Sequence, residues 1–243
     1  MKIIWAVINF IQITIICLWT AVCAVVGVLL MLITWNGAWV HKVNGLYLWS
    51  PLVCALCGVR VTLHGSHHIN TSLSRIYVAN HASHFDIVAL ARVMPVGLFF
   101  IAKKELARVP FMGQYMRLIG HIFIDRKNKD KSMESMMQAA EKIKRGRNVI
   151  SFPEGTRSKT DEVQIFKRGS FIIAKQGNVD IVPIGISGSR SVLPSGRFGI
   201  RPGTITVRVG EAISAEQFAQ LNVEQLAELA REKVEVLIKE NRK

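Results

Sequence analysis

The chain opens on "IIWAVINFIQITIICLWTAVCAVVGVLLMLITWNGAWV", Ile3 to Val40, a run without one charged side chain. A helix over even part of it exceeds the about 20 residues that a hydrocarbon layer of about 30 Å requires. The apolar core of a cleaved secretory signal is only about 7–15 residues long, so the run predicts an uncleaved anchor. A polar break, "WNGAWVHK", precedes a shorter apolar stretch, "VNGLYLWSPLVCALCGV", interrupted by Pro51. That stretch is too short and broken for a second span and predicts a re-entrant or interfacial helix. Trp35, Trp39, Tyr47 and Trp49 gather around the break, as expected of side chains at headgroup level.

Beyond it, strand-like runs alternate with helical periodicity. "RIYVAN", "LFFIA", "HIFID", "NVISF", "DIVPIGIS" and "TITVRVG" predict strands. Helices are predicted from Phe85, over "KSMESMMQAAEKIKR" with Met133, Met137, Ala140 and Ile143 on one face, and over "GSFIIAKQG". A terminal helical region starts at the capping box Ser214/Gln217 and restarts at Asn222/Gln225, with Leu226, Leu229, Lys233 and Leu237 on its apolar side. The pattern predicts an α/β layer fold, a mixed central sheet flanked by helices with an N-terminal hydrophobic helical membrane anchor. The division expected is 1–58 for the anchor and 59–243 for the α/β domain with its C-terminal amphipathic helical region.

Charge sharpens this picture. Of a net +14, residues 1–80 contribute four Lys/Arg and no acid, 101–170 sixteen against eight, and 171–243 ten against eight. A basic middle beside an apolar N-terminus suits anionic lipid, a phosphorylated substrate or an acidic carrier. Nucleic acid is not expected: exposed aromatics do not interleave the basic stretches and no recognition module is present. Lys42 and Arg60 follow the anchor while only Lys2 precedes it, a small bias toward a cytoplasmic main domain on the inner membrane. The four cysteines, Cys17, Cys23, Cys54 and Cys57, all lie in the apolar first quarter. The pair Cys54/Cys57 has neither a second pair for zinc nor a βαβ setting for redox chemistry, so inert thiols are expected.

"YVANHASHFDIVAL", 77–90, concentrates ionisable groups between a strand and a helix. His81 stands in the turn and Asp86 about one helical turn beyond it. A carboxylate accepting from one ring nitrogen fixes the tautomer and leaves the other nitrogen as a general base. Two other readings compete: Ser83 as a hydrolase nucleophile, against its ordinary use as a helix cap, and a metal held by His81, His84 and Asp86 with His67 and His68, which lacks HExxH spacing. A second stretch, "ISFPEGTRSKTDEVQIFKRGSF" (150–171), carries a glycine turn, Arg157 and a helix start. Such parts make a phosphate-monoester receptor or a solvated loop with an incidental ion pair.

Taken together, "NHASHFD", "AKKELARVPFMGQYMRLIGHIFIDR", "FPEGTRS" with "FKRG", and "VPIGISG" come in the order and approximate spacing of the motif blocks of the 1-acylglycerol-3-phosphate O-acyltransferases. Over about 76–188 the chain resembles this family of the glycerolipid acyltransferase superfamily. The resemblance implies His81 and Asp86 as the catalytic pair; Lys104, Gly113 and Arg126 at the acceptor phosphate; Glu154, Gly155, Thr156 and Arg157, with Lys167, at the acceptor site; and Pro183 in acyl-donor binding or active-site shape. His84 departs from the aromatic or aliphatic residue frequent there, putting a second titrating group near the site. The implied reaction moves an acyl chain from acyl-CoA or acyl carrier protein to the sn-2 hydroxyl of lysophosphatidic acid, a step of phospholipid biosynthesis without a cofactor or metal. Glycerol-3-phosphate or another lysolipid as acceptor, and a non-catalytic adaptor for anionic lipid, are the rival expectations.

Overall fold

A computed structural model describes residues 2–125, 129–160, 162–196 and 199–240. The expected anchor is a single helix, α1, Lys2–Thr34. It ends where Trp35 takes a left-handed φ of 52°, and Asn36 caps α2, Gly37–Val43, by accepting from Trp39 N–H. A π-helical segment, Asn44–Trp49, joins α2 to α3, Ser50–Cys57, so 37–57 is helical throughout. The widened turn falls just before Pro51, which has no N–H and whose ring crowds the preceding turn. Gly45 O accepts from Ser50 through both its N–H and its hydroxyl, at 2.6 Å for the latter.

Polar side chains pin this hairpin together. Gln12 donates to Leu56 O at 2.8 Å, Trp49 Nε1 to Thr20 Oγ1 at 2.9 Å, Trp19 Nε1 to Leu48 O at 3.2 Å, and buried Asn44 Nδ2 to Cys23 O at 2.7 Å. All four bonds lie among apolar side chains, where an unmade polar contact is costly.

Gly58, left-handed at φ 62°, ends α3 and starts the sheet. The strands are β1 (Val59–His64), β2 (Ile76–Ala79), β3 (Leu98–Lys103), β4 (Ile122–Ile124), β5 (Asn148–Ser151), β6 (Ile181–Ser187) and β7 (Gly203–Val209). Their order is β1-β7-β6-β2-β5-β3-β4, parallel except where β7 meets β6. The sheet is thus mixed, as expected. The further helices are α4 (Phe85–Val93), α5 (Met112–Ile119), α6 (Lys129–Lys144), α7 (Gly169–Gly177), α8 (Ser189–Val192) and α9 (Val223–Lys239). One face of the sheet packs with α3 and α4 around Tyr77, Leu90, Ile150 and Ile184; the other packs with α6, α7 and α9 around Ile76, Phe99, Phe171 and Ile181.

Several local expectations are corrected. β1 was hidden because "VRVTLH" follows the apolar anchor without a break, and only its alternation marks it. In α6 the buried side holds Ala139, Ala140 and Ile143 while Met137 faces solvent; Met133 has no described side chain. In α9 the buried positions are Leu226, Ala227, Ala230, Val234 and Ile238, so the apolar face is turned from Lys233 toward the small residues that let the helix sit on the sheet. The Ser214/Gln217 box does form, yet it closes only turns, and the helix begins at the Asn222/Gln225 box.

Candidate active site

Strands β2, β5, β3 and β6 run parallel, so their carboxyl ends deliver His81, Glu154, Lys104 and Gly188 to one edge of the sheet. Open α/β sheets bind ligands at that edge. Asn80 fixes the end of β2 by donating to Ile186 O at 2.9 Å and accepting from Ile186 N–H at 2.7 Å. The next residue, His81, donates from Nδ1 to Asp86 Oδ2 at 2.7 Å. The same oxygen accepts from Ala82 N–H and Ser83 N–H at 2.8 and 2.9 Å, so the fully buried carboxylate is held by the turn it orients. Because Nδ1 carries the proton, Nε2 has its lone pair free for a substrate proton. Phe152 stacks under the imidazole at 4.1 Å between centroids and 16° between planes, and Phe100 stacks on Phe152 in turn.

Glu154 is only 2% exposed and accepts from His81 N–H at 2.7 Å, while Ser158 N–H donates to His81 O at 2.7 Å. The "PEGTR" turn therefore clamps the backbone of His81 from both sides. Burial pushes the Glu154 carboxyl up to about 7, against the N–H groups of His81 and Gln164 that favour its charged form. Gly155 takes φ 76°, and a Cβ there would stand 2.7 Å from Lys167 Nζ, so the ammonium lies directly on the glycine turn. Arg157 is half-buried, and its charge, after burial, is the largest influence lowering the His84 pKa, with His81 next. Thr156 is exposed at the lip. A cavity of about 390 Å³ opens beside His81 and Glu154, walled by Ser158, Ser187, Gly188 and Thr206.

The edge thus brings together His81, Asp86, Glu154, Gly155, Arg157 and Lys167. Lys104 reaches it too, exposed and paired with Asp125 at 3.2 Å. Gly113 is a packing residue: a Cβ would stand 2.5 Å from Ala107 O. Pro183 is buried within β6, level with Val78 and three residues short of His81, with its carbonyl bonded to Gly210 N–H. Arg126 lies outside the described residues. Sequence reasoning gave no role to Asn80, Phe152 and Ser158, although all three stand inside the quoted motifs; an asparagine closing the apolar run of β2 was the available signal.

The residues of the two competing readings are engaged elsewhere or lie apart. Ser83 is buried, accepts from Phe85 N–H at 3.1 Å and donates to Leu193 O at 2.8 Å, so its hydroxyl is spent on the turn into α4, whose N-cap is His84. His67 and His68 follow β1, which runs opposite to β2, so they leave the sheet at its other edge. Among the described residues no three His, Cys, Asp or Glu side chains could share a metal. The cysteines are free thiols, with Cys23, Cys54 and Cys57 buried.

A His–Asp pair fixed in its turn thus stands beside a cationic glycine turn at one end of a mixed sheet, an arrangement suited to general-base chemistry on a phosphorylated substrate. The acyltransferase family model matches residues 60–187. The 1-acyl-sn-glycerol-3-phosphate acyltransferase of Saccharomyces cerevisiae is 37% identical over 169 residues, 68% of this chain and 55% of that protein. The protein of that name from Limnanthes douglasii is 34% identical over 73% of this chain and 61% of its own length, and the human alpha protein 33% identical over 76% and 66%. The chain belongs to the acyltransferase family. It spans a little over half to about two thirds of the length of these curated relatives. The crystal structure of the 1-acyl-sn-glycerophosphate (LPA) acyltransferase of Thermotoga maritima shares the fold, with a TM-score of 0.82 over 99% of this chain and 97% of that one at 24% identity.

Proposed function

We propose that the protein is a 1-acylglycerol-3-phosphate O-acyltransferase that forms phosphatidic acid from lysophosphatidic acid. The observation that carries this reading is the His81–Asp86 bond of 2.7 Å on the same sheet edge as Arg157 and Lys167. The acceptor's sn-2 hydroxyl gives its proton to His81 Nε2, and its oxygen attacks the thioester carbonyl carbon of acyl-CoA or acyl carrier protein. Asp86 stabilises the imidazolium. The tetrahedral intermediate collapses, the C–S bond breaks, and the leaving thiolate takes the proton back from His81. No covalent enzyme intermediate and no cofactor are required, since the thioester is already activated. Arg157 and Lys167, with Lys104 and Arg126, hold the phosphate; Glu154 and Gly155 hold the turn that presents them.

The reaction takes place at a membrane in this reading, with 1–58 as the membrane device, 59–243 as the catalytic domain, and that domain facing the cytoplasm. Ile4–Thr34 is long and apolar enough to cross a bilayer. Its packing favours lying in one leaflet instead. Asn9 accepts from Ile200 N–H at 2.7 Å, and Gly27 packs on Tyr115, so the body grips α1 at points about 27 Å apart along its axis at about 1.5 Å per residue. A perpendicular crossing would draw the body through the hydrocarbon. Along its free side Ile4, Ile8, Ile11, Ile15, Leu18, Val22, Val25, Leu29 and Leu32 form one exposed apolar stripe, the face an in-plane helix offers to lipid.

The test is transfer from radiolabelled acyl-CoA or acyl carrier protein to lysophosphatidic acid by detergent-solubilised protein. His81→Ala is expected to cut turnover by about 10²–10⁴ with acceptor binding retained. Near-normal turnover by that variant would sink the mechanism, and product only with glycerol-3-phosphate or another lysolipid would reassign the acceptor.

A further inference from the structure

We propose that the segment Lys103–Leu118 is a second membrane-inserting element, in which Val109, Phe111 and Leu118 enter an anionic leaflet beside α1 while Lys103, Arg108 and Arg117 engage its phosphates. The inference rests on α1 being membrane-associated. Leu106, Val109, Phe111 and Leu118 are all exposed, Phe111 to 57%. Large apolar side chains exposed elsewhere in the α/β body, such as Leu73, Ile165 and Val236, stand singly, as is ordinary for a protein surface.

The cluster's position shows what covers it. Helix α5 is seated between α1 and α2: Tyr115 meets Gly27, Ile119 O approaches Gly37, and Ala24, Val40, Tyr115 and Ile119 share a small core. The exposed side of α5 and the turn before it therefore neighbour the C-terminal half of α1, the half that carries the exposed Val22, Val25 and Leu29.

The backbone supports the same conclusion. Phe111 sits at φ 61° and ψ −56°, a strained conformation for a non-glycine residue, and in water its exposed ring recovers none of that strain by burial. An acyl region would bury that ring, while Pro110 fixes the turn that projects it. The charges fit as well. Segment 103–118 holds Lys103, Lys104, Arg108 and Arg117 against Glu105 alone, and Lys104 is engaged by Asp125. Basic side chains bordering a shallow apolar wedge match an anionic headgroup layer. Because β3 lies beside β5, this contact also sets the lip of the site near Glu154 at headgroup depth, where an acceptor phosphate resides.

The experiment is site-directed spin labelling of the full chain in nanodiscs of phosphatidylcholine with phosphatidylglycerol, in a Cys17→Ser background because that thiol is exposed. Labels at Phe111→Cys, at Ile15→Cys on the α1 stripe, and at the exposed Glu232→Cys of α9, on the face of the sheet opposite α3 and α4, are compared for collision with oxygen and with a water-soluble nickel chelate. Oxygen is expected to dominate at 15 and at 111, and nickel at 232. Oxygen at 15 with nickel at 111 overturns the proposal and leaves the α1 reading intact. Nickel at both positions overturns the α1 reading and the proposal with it.

Discussion

At the residue scale, Glu154 separates recognition of a motif from understanding of it. The resemblance implies a carboxylate at the acceptor, yet its Oε1 is spent on His81 N–H. That contact makes Glu154 a positioning residue in the proposed mechanism. Glu154→Gln keeps an acceptor oxygen and is expected to retain most of kcat, whereas Glu154→Ala leaves the His81 N–H unpaired and should lower kcat with little change in the acceptor's KM, at a stability cost of about 1–3 kcal/mol. Its titration has a definite sign. The folded carboxyl, raised to about 7 from 4.5, stays protonated after the unfolded one has ionised. Stability contributed at this position is therefore greatest below about 4.5 and falls as pH rises through about 7, a slope that thermal melts of Glu154→Gln should lack. His84 offers a second probe. Burial, Arg157 and His81 depress it, so phosphate-bearing acceptor bound at Arg157 should offset that repulsion and raise the His84 pKa in an NMR titration. No movement on saturation would place the phosphate elsewhere.

At the element scale, glycines decide how closely the pieces approach. A Cβ on Gly27 would come within 2.3 Å of the Tyr115 ring and 2.6 Å of Asn44 Nδ2. Gly27→Val is therefore expected to push α1 off α5 at about 1–3 kcal/mol, read as a lower melting temperature in detergent. The same change at Gly199, where a Cβ meets nothing within 4 Å, should leave the melt alone. On the opposite face Gly185 lets α9 cross β6, with Leu237 Cβ 2.7 Å from where a side chain would begin. The sequence shows these glycines only as breaks in apolar runs, because the partner that needs the space is distant along the chain. For the same reason α5 was not foreseen. "PFMGQYMRLIG" is short and punctuated by Pro110, Gly113 and Gly120, and it is helical because Tyr115 and Ile119 find α1 and α2 to pack against.

For the whole molecule, the amino-acid sequence by itself determined the apolar anchor, six of the strands and the helices at α4, α6, α7 and α9, because each rests on a period or cap that is local to its segment. It also determined which histidine and aspartate to pair, since five residues across a strand-to-helix turn put them within reach of one another. Only the tertiary structure decided that β1 closes the sheet beside β7, a pairing of segments more than a hundred residues apart, and that β7 runs against β6, which depends on the path the chain takes between them. Register and packing likewise brought Glu154 onto the backbone of His81, set Pro183 back from the edge, and laid α1 along the body instead of away from it. A side chain's chemistry is written where it stands in the chain, but what it meets is fixed by segments brought to it only on folding.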